Sequence, residues 1–155
     1  MSTTWVKPIE IAETDNPTMN ASTAAGIQSS PWPKRIFAIT LFVEDLEAAK
    51  RFYRAAFDLP VAFEDANSAV FKFGDVMINL LAVSQAPGLI APATVAAPEA
   101  GSRIVITVPV DDVDAICARL ANAGVKLLNG PMNRPWGPRT ASFQDPGGHI
   151  WEIAS

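Results

Sequence analysis

Few side chains in this 155-residue chain have both the chemistry and the spacing to build a reactive or binding centre. Glu152 stands first among them. In the run His149-Ile150-Trp151-Glu152-Ile153, strand alternation puts Trp151 and Ile153 on one face and Ile150 and Glu152 on the other. A carboxyl aimed into an apolar cleft serves as a general base or a hydrogen-bond acceptor, whereas a structural carboxylate would be paired with a basic side chain such as Arg139. Trp136 and Arg139 offer stacking on an aromatic ligand and pairing with an anionic one. Their alternative roles are a plug for the end of the core and a partner for Glu152 or a terminal carbonyl. His149, the single histidine, lies three residues before Glu152, so along a strand it projects to the opposite face and reads as a turn or surface residue. Cys117 is the single cysteine, which excludes an internal disulfide and any multi-cysteine metal site, and its place on the apolar face of a predicted helix makes it a core residue.

These residues must be positioned by elements that the chain spells out twice. Ile36 to Ala48 is echoed by Ile104 to Ala115: each copy is a β-rich apolar run that ends in an acidic pair, Glu44-Asp45 or Asp111-Asp112, suited to cap a helix. The first helix carries Leu46, Ala49, Phe52, Tyr53, Ala56 and Phe57 on one stripe, with Glu47 and Arg51 spaced to pair on the wet side, and Pro60 ends it. Strands are predicted at Val61 to Glu64, Ala69 to Phe73 and Val76 to Val83. The second helix turns Val113, Ile116, Cys117, Leu120 and Ala121 inward and stops at Gly124, and strands follow at Val125 to Leu128, Arg139 to Phe143 and His149 to Ala154. Asn129 to Pro138, dense in Pro and Gly, reads as a loop.

The pattern is α+β: two tandem βαβββ modules forming a curved mixed sheet around a cleft. Residues 1–33 read as an irregular N-terminal extension with Trp5, Ile9 and Ile11 as its apolar anchors, 34–84 as module one, 85–101 as a linker or flap, and 102–155 as module two. Alternation assigns Ile39, Leu41, Val43, Ile78 and Leu80 to packing. Ala38, Thr40 and Phe42 on the first strand, and Met77, Asn79 and Leu81 on the last, then line the cleft.

Composition narrows the function classes. Hydrophobic residues make up 49% of the chain, ample for a core, and a net charge of −4 with scattered basic residues argues against nucleic acid as a partner. No apolar run approaches the roughly 20 residues that span a bilayer, and no basic segment followed by an apolar stretch opens the chain. The expectation is a cytoplasmic protein without a membrane partner.

The repeated module, the phrase Phe42-Val43-Glu44-Asp45-Leu46-Glu47-Ala48-Ala49-Lys50-Arg51-Phe52-Tyr53 and the closing run from Arg134 to Ile153 together resemble the vicinal oxygen chelate superfamily over about residues 34–155. That group includes glyoxalase I, extradiol dioxygenases, fosfomycin-modifying enzymes and bleomycin-resistance binding proteins. In its metal-dependent branches each module supplies one ligand from its first strand and one from its last. By motif those positions are Ala38 and Asn79 in module one and, in module two, Glu152 together with Val105 by the Asp111-Asp112 register, or Arg103 or Ser102 if the strand slips. Only Glu152 is a strong donor, and a tight transition-metal site needs about three protein ligands. The resemblance and this departure together imply metal-independent binding of a small organic ligand, as sequestration or with acid-base chemistry by Glu152, without metal or other cofactor. The alternative is a metal-dependent glyoxalase-like lyase, isomerase or dioxygenase. Relatives form clefts by pairing modules within or between chains, which implies a homodimer.

Overall fold

A computed structural model describes residues 31–155. The chain divides into two units, Met1–Pro33 and Lys34–Ser155, and the elements named here belong to the second. Trp5, Ile9 and Ile11 lie outside the described residues.

Module one runs β1 (Ala38–Val43), α1 (Leu46–Phe57), β2 (Val61–Glu64), β3 (Ser68–Phe73) and β4 (Val76–Ala82). After a connection holding one short helix, α2 (Pro87–Ile90), module two repeats the order as β5 (Val105–Pro109), α3 (Val113–Asn122), β6 (Leu127–Asn133), β7 (Arg139–Gln144) and β8 (Ile150–Ala154). The acidic pairs start both helices: the Asp45 carboxylate accepts from the Ala48 amide at 2.9 Å and that of Asp112 from the Ala115 amide at 3.0 Å. α1 stops where Asp58 takes a left-handed conformation (φ 54°), two residues ahead of Pro60.

Each module folds its strands into a four-stranded mixed sheet, β1-β4-β3-β2 and β5-β8-β7-β6, so β1 and β5 are parallel to their neighbours and each keeps one open edge. The two sheets are not joined by a strand ladder. They meet through their helix-covered faces. Phe57 of α1 touches Phe73 of its own sheet at 4.9 Å and Trp151 of the other at 4.7 Å between ring centroids, and Phe73 stacks directly on Trp151 at 5.2 Å. The buried residues of both sheets therefore belong to one core, with Leu41, Val43, Ile78 and Leu80 from module one and Ala141, Phe143, Trp151 and Ile153 from module two.

Two local expectations need correction. The stretch from Asn129, expected as a loop, continues β6 as far as Asn133, with register shifts on either side of Asn129 that absorb Gly130-Pro131. An edge strand tolerates a proline because one side of it needs no amide donor. What remains is a tight turn closed by the Arg134 amide on the Pro138 carbonyl at 2.8 Å. On α1, Glu47 pairs with Lys50 at 2.8 Å rather than Arg51, because the Lys50 ammonium sits between Glu47 and Glu64 of β2. The connection from 85 to 101, besides α2, makes a single helical turn at Pro98–Ala100.

Candidate functional site

The outer face of each sheet carries one polar pair in the same place. In module one Thr40 of β1 lies level with Asn79 of β4, and the Asn79 amide donates to the Thr40 hydroxyl at 3.3 Å. In module two Thr107 of β5 lies level with Glu152 of β8, and the Thr107 hydroxyl donates to the Glu152 carboxylate at 3.0 Å. The pairs arise from the same local logic. Ile39 and Leu41, or Ile106 and Val108, turn toward the core, so the threonine between them must turn outward, and so must the polar residue flanked by Ile78 and Leu80 or by Trp151 and Ile153. Ala38 and Met77 are level one step along module one, and Phe42 is level with Leu81 one step the other way, so the predicted lining residues of that module do share a face.

The structure does not bring the two pairs together within a chain. Because the helix-side faces pack against each other, the Thr40–Asn79 face and the Thr107–Glu152 face look away from one another. Trp136 and Arg139 stand apart as well. Trp136, at the tip of the β6–β7 turn, is 72% exposed, which rules out a plug for the core, and the Arg134 guanidinium lies 5.8 Å from its ring. Arg139 is not the partner of Glu152: its guanidinium donates to both carboxylate oxygens of Asp114 at 2.7 Å and to Asn133 at 3.1 Å. That contact holds the Asp114 carboxyl below its usual range.

Thr107 is the site residue that reading for chemistry overlooked, although the repeated Ile-Thr dipeptide, Ile39-Thr40 and Ile106-Thr107, marked it as the equivalent of Thr40. A second polar group emerges at the junction of the modules. Trp151 Nε1 donates to the Tyr53 hydroxyl at 3.1 Å, which donates to the Asp145 carboxylate at 2.8 Å. Asp145 also receives the His149 amide at 2.8 Å and Nδ1 at 2.9 Å; a carboxylate only accepts, so the Nδ1 carries the proton. Burial, reinforced by the Asp145 charge, pushes the Tyr53 hydroxyl far above the usual phenol range. His149 is thus a turn residue tied to a buried carboxylate.

The four positions at which the resemblance would place metal ligands can be tested on their donor atoms. Ala38 and Val105 have none beyond the backbone, Asn79 offers only a weakly ligating amide oxygen while its Nδ2 donates to Thr40, and Glu152 offers a carboxylate. This set does not fit a transition metal. Among the described residues no group of three or more His, Cys, Asp or Glu side chains comes close enough to hold one elsewhere.

This is the architecture of a known class. The sequence model of the Glyoxalase/Bleomycin resistance protein/Dioxygenase superfamily matches residues 35–153, and the chain belongs to that superfamily. Particular relatives stand at moderate distance. The uncharacterized protein YraH of Bacillus subtilis is 29% identical over 123 residues, which cover 77% of this chain and 96% of YraH. A glyoxalase-related enzyme from Fulvimarina pelagi superposes with a TM-score of 0.70 at 26% identity, over 79% of this chain and 88% of that one. Lactoylglutathione lyase from Agrobacterium tumefaciens, at 23% identity and a TM-score of 0.64 over 79% and 93% of the two chains, shares the fold.

Proposed function

We propose that this member of the superfamily binds a small organic molecule without a metal, on the outer sheet faces where Thr40–Asn79 and Thr107–Glu152 stand, and that Glu152 anchors the ligand or exchanges a proton with it. The observation that carries this reading is the donor set itself. Two of the four positions have lost their donor atoms, while the two that remain polar are each held by a threonine hydroxyl at an equivalent register. A carboxylate oriented by a hydroxyl is a directional acceptor for a ligand hydroxyl or amine. The apolar neighbours Ala38, Phe42 and Met77 give such a ligand a surface to lie on.

Since the two polar faces diverge within the chain, a cleft holding both is completed by a second copy, so we infer a homodimer. The open edges of β1 and β5 favour this, because large apolar side chains stand exposed at their starts: Ile36 is 64% exposed, Phe37 44%, Ile104 52% and Val105 52%. Sedimentation should give twice the chain mass, and a monomer at micromolar concentration would refute the shared cleft.

The test of the site is Glu152→Gln. Arg139 has its own partner in Asp114, so the substitution strands no buried charge and an amide oxygen can still accept from Thr107. Stability should change by less than about 1 kcal/mol. Affinity for, or turnover of, the organic molecule that copurifies with the wild-type protein, identified by mass spectrometry, should fall about tenfold or more. Normal binding by the variant would remove Glu152 from the site.

A further inference from the structure

Between the helix-side faces of the two sheets the core is left open. A cavity of about 700 Å³ lies there, walled by Ile39 and Phe73 from module one, by Ile106, Val108 and Trp151 from module two, and by Phe57 at the end of α1. It is separate from the outer faces: of the two polar pairs only Thr107, on the open edge strand β5, also borders it. Its size falls within the roughly 300–1,000 Å³ of small-molecule pockets. The walls are apolar and only half-buried at Ile39, Ile106, Val108 and Ile116, so an occupant would remove wet apolar surface from water.

The charged side chains that line this cavity have one sign. Among the described residues, Lys72 and Arg119 are the only ionisable side chains of its lining, and no carboxylate is among them. Arg119 contacts Asp58 at 3.3 Å, but the two side chains are 64% and 82% exposed, a pair of the kind that a better acceptor displaces easily.

We propose that this inter-sheet cavity is a second binding site, for an organic monoanion with an apolar body, an aromatic or medium-chain acid. Its body lies against the Phe57, Phe73 and Trp151 rings, and its acidic head is met by Lys72 and Arg119. Size argues for a small molecule, the aromatic rings for an apolar body, and the two cations of the lining, with Arg119 held only by an exposed pair to Asp58, for a single negative charge.

The probes are 1-anilinonaphthalene-8-sulfonate for the aromatic acid, decanoate for the alkyl acid, and N-phenyl-1-naphthylamine as the uncharged aromatic control, titrated into the full chain by fluorescence or calorimetry. Saturable binding of an anionic probe at one per chain is expected, with the stronger of the two acids telling aromatic from alkyl. Narrowing the cavity by Val108→Phe should weaken it about tenfold or more. Ala56→Leu, on the wall contributed by α1, carries the same test if Val108→Phe does not fold. The double variant Lys72→Gln/Arg119→Gln should weaken the anions severalfold and spare the neutral control, and Glu152→Gln should leave all probes bound. Four results would each overturn the proposal: no saturable binding; indifference to the narrowing variants; equal affinity for charged and neutral probes; or binding that appears only when the protein is diluted to single chains, which would mean that a second copy covers the cavity.

Discussion

Tyr53 shows what a single side chain can contribute to this molecule. It is fully buried, and its hydroxyl joins Trp151 and Asp145 of module two to α1 of module one. Tyr53→Phe would leave the Trp151 Nε1 without an acceptor and Asp145 with one donor fewer, both in the core, and should cost about 1–3 kcal/mol in a denaturant titration. The same hydroxyl sets an alkaline limit. Its folded pKa lies above the unfolded value of about 10, so over the interval between them the native state keeps a proton that the unfolded chain releases. The contribution is complete below about pH 10 and is lost as pH rises beyond it. Unfolding free energies measured on either side of that pH should show this slope in the wild type and a weaker one in Tyr53→Phe; equal slopes would contradict the linkage. An acid counterpart exists at Asp65, whose carboxyl is held below its usual range chiefly by the Asn67 amide. Its contribution is present above the unfolded carboxylate value and fades as pH falls through the folded one.

Among the elements, β6 is the one whose backbone carries a specific demand. Gly130 has φ +86°, and a Cβ there would meet the Thr140 carbonyl oxygen at 2.5 Å and the Ala141 Cα at 2.7 Å. Both contacts are backbone of the paired strand β7, so nothing can move aside cheaply. Gly130→Ala should destabilise the protein by roughly 2 kcal/mol or more and open the β6–β7 ladder to amide exchange, whereas Gly74→Ala, with open space around the added methyl, should pay only for its left-handed backbone. An unchanged melting point for Gly130→Ala would show that the bulge is not required. β6 was also the element least legible in the sequence. Gly130-Pro131 broke the alternation by which the other strands announced themselves, and its pairing depends on register shifts that have no signature in residue order. The helices were legible because capping is local: Asp45 and Asp112 lie three residues from the amides they satisfy.

For the whole molecule, alternation told which face of each strand is buried but not what it is buried against. Ile78, Leu80, Trp151 and Ile153 were assigned inward, as the structure has them, yet the packing of sheet on sheet through α1 rests on contacts such as Tyr53 to Asp145, 92 positions apart. The site was legible in the same partial way. Asn79 and Glu152 could be found by aligning the two halves of the chain, but Thr107 was missed although the repeated Ile-Thr marks it as the counterpart of Thr40. That the two pairs face apart followed only from how the modules meet. The most direct test of a metal-free organic-ligand site is native mass spectrometry of the untreated protein with elemental analysis in parallel. A metal-free site should give a dimer that carries organic mass, far less than one transition metal per chain, and a melting point unmoved by a chelator. One zinc, nickel, manganese or iron held per chain, with loss of function on chelation, would contradict it.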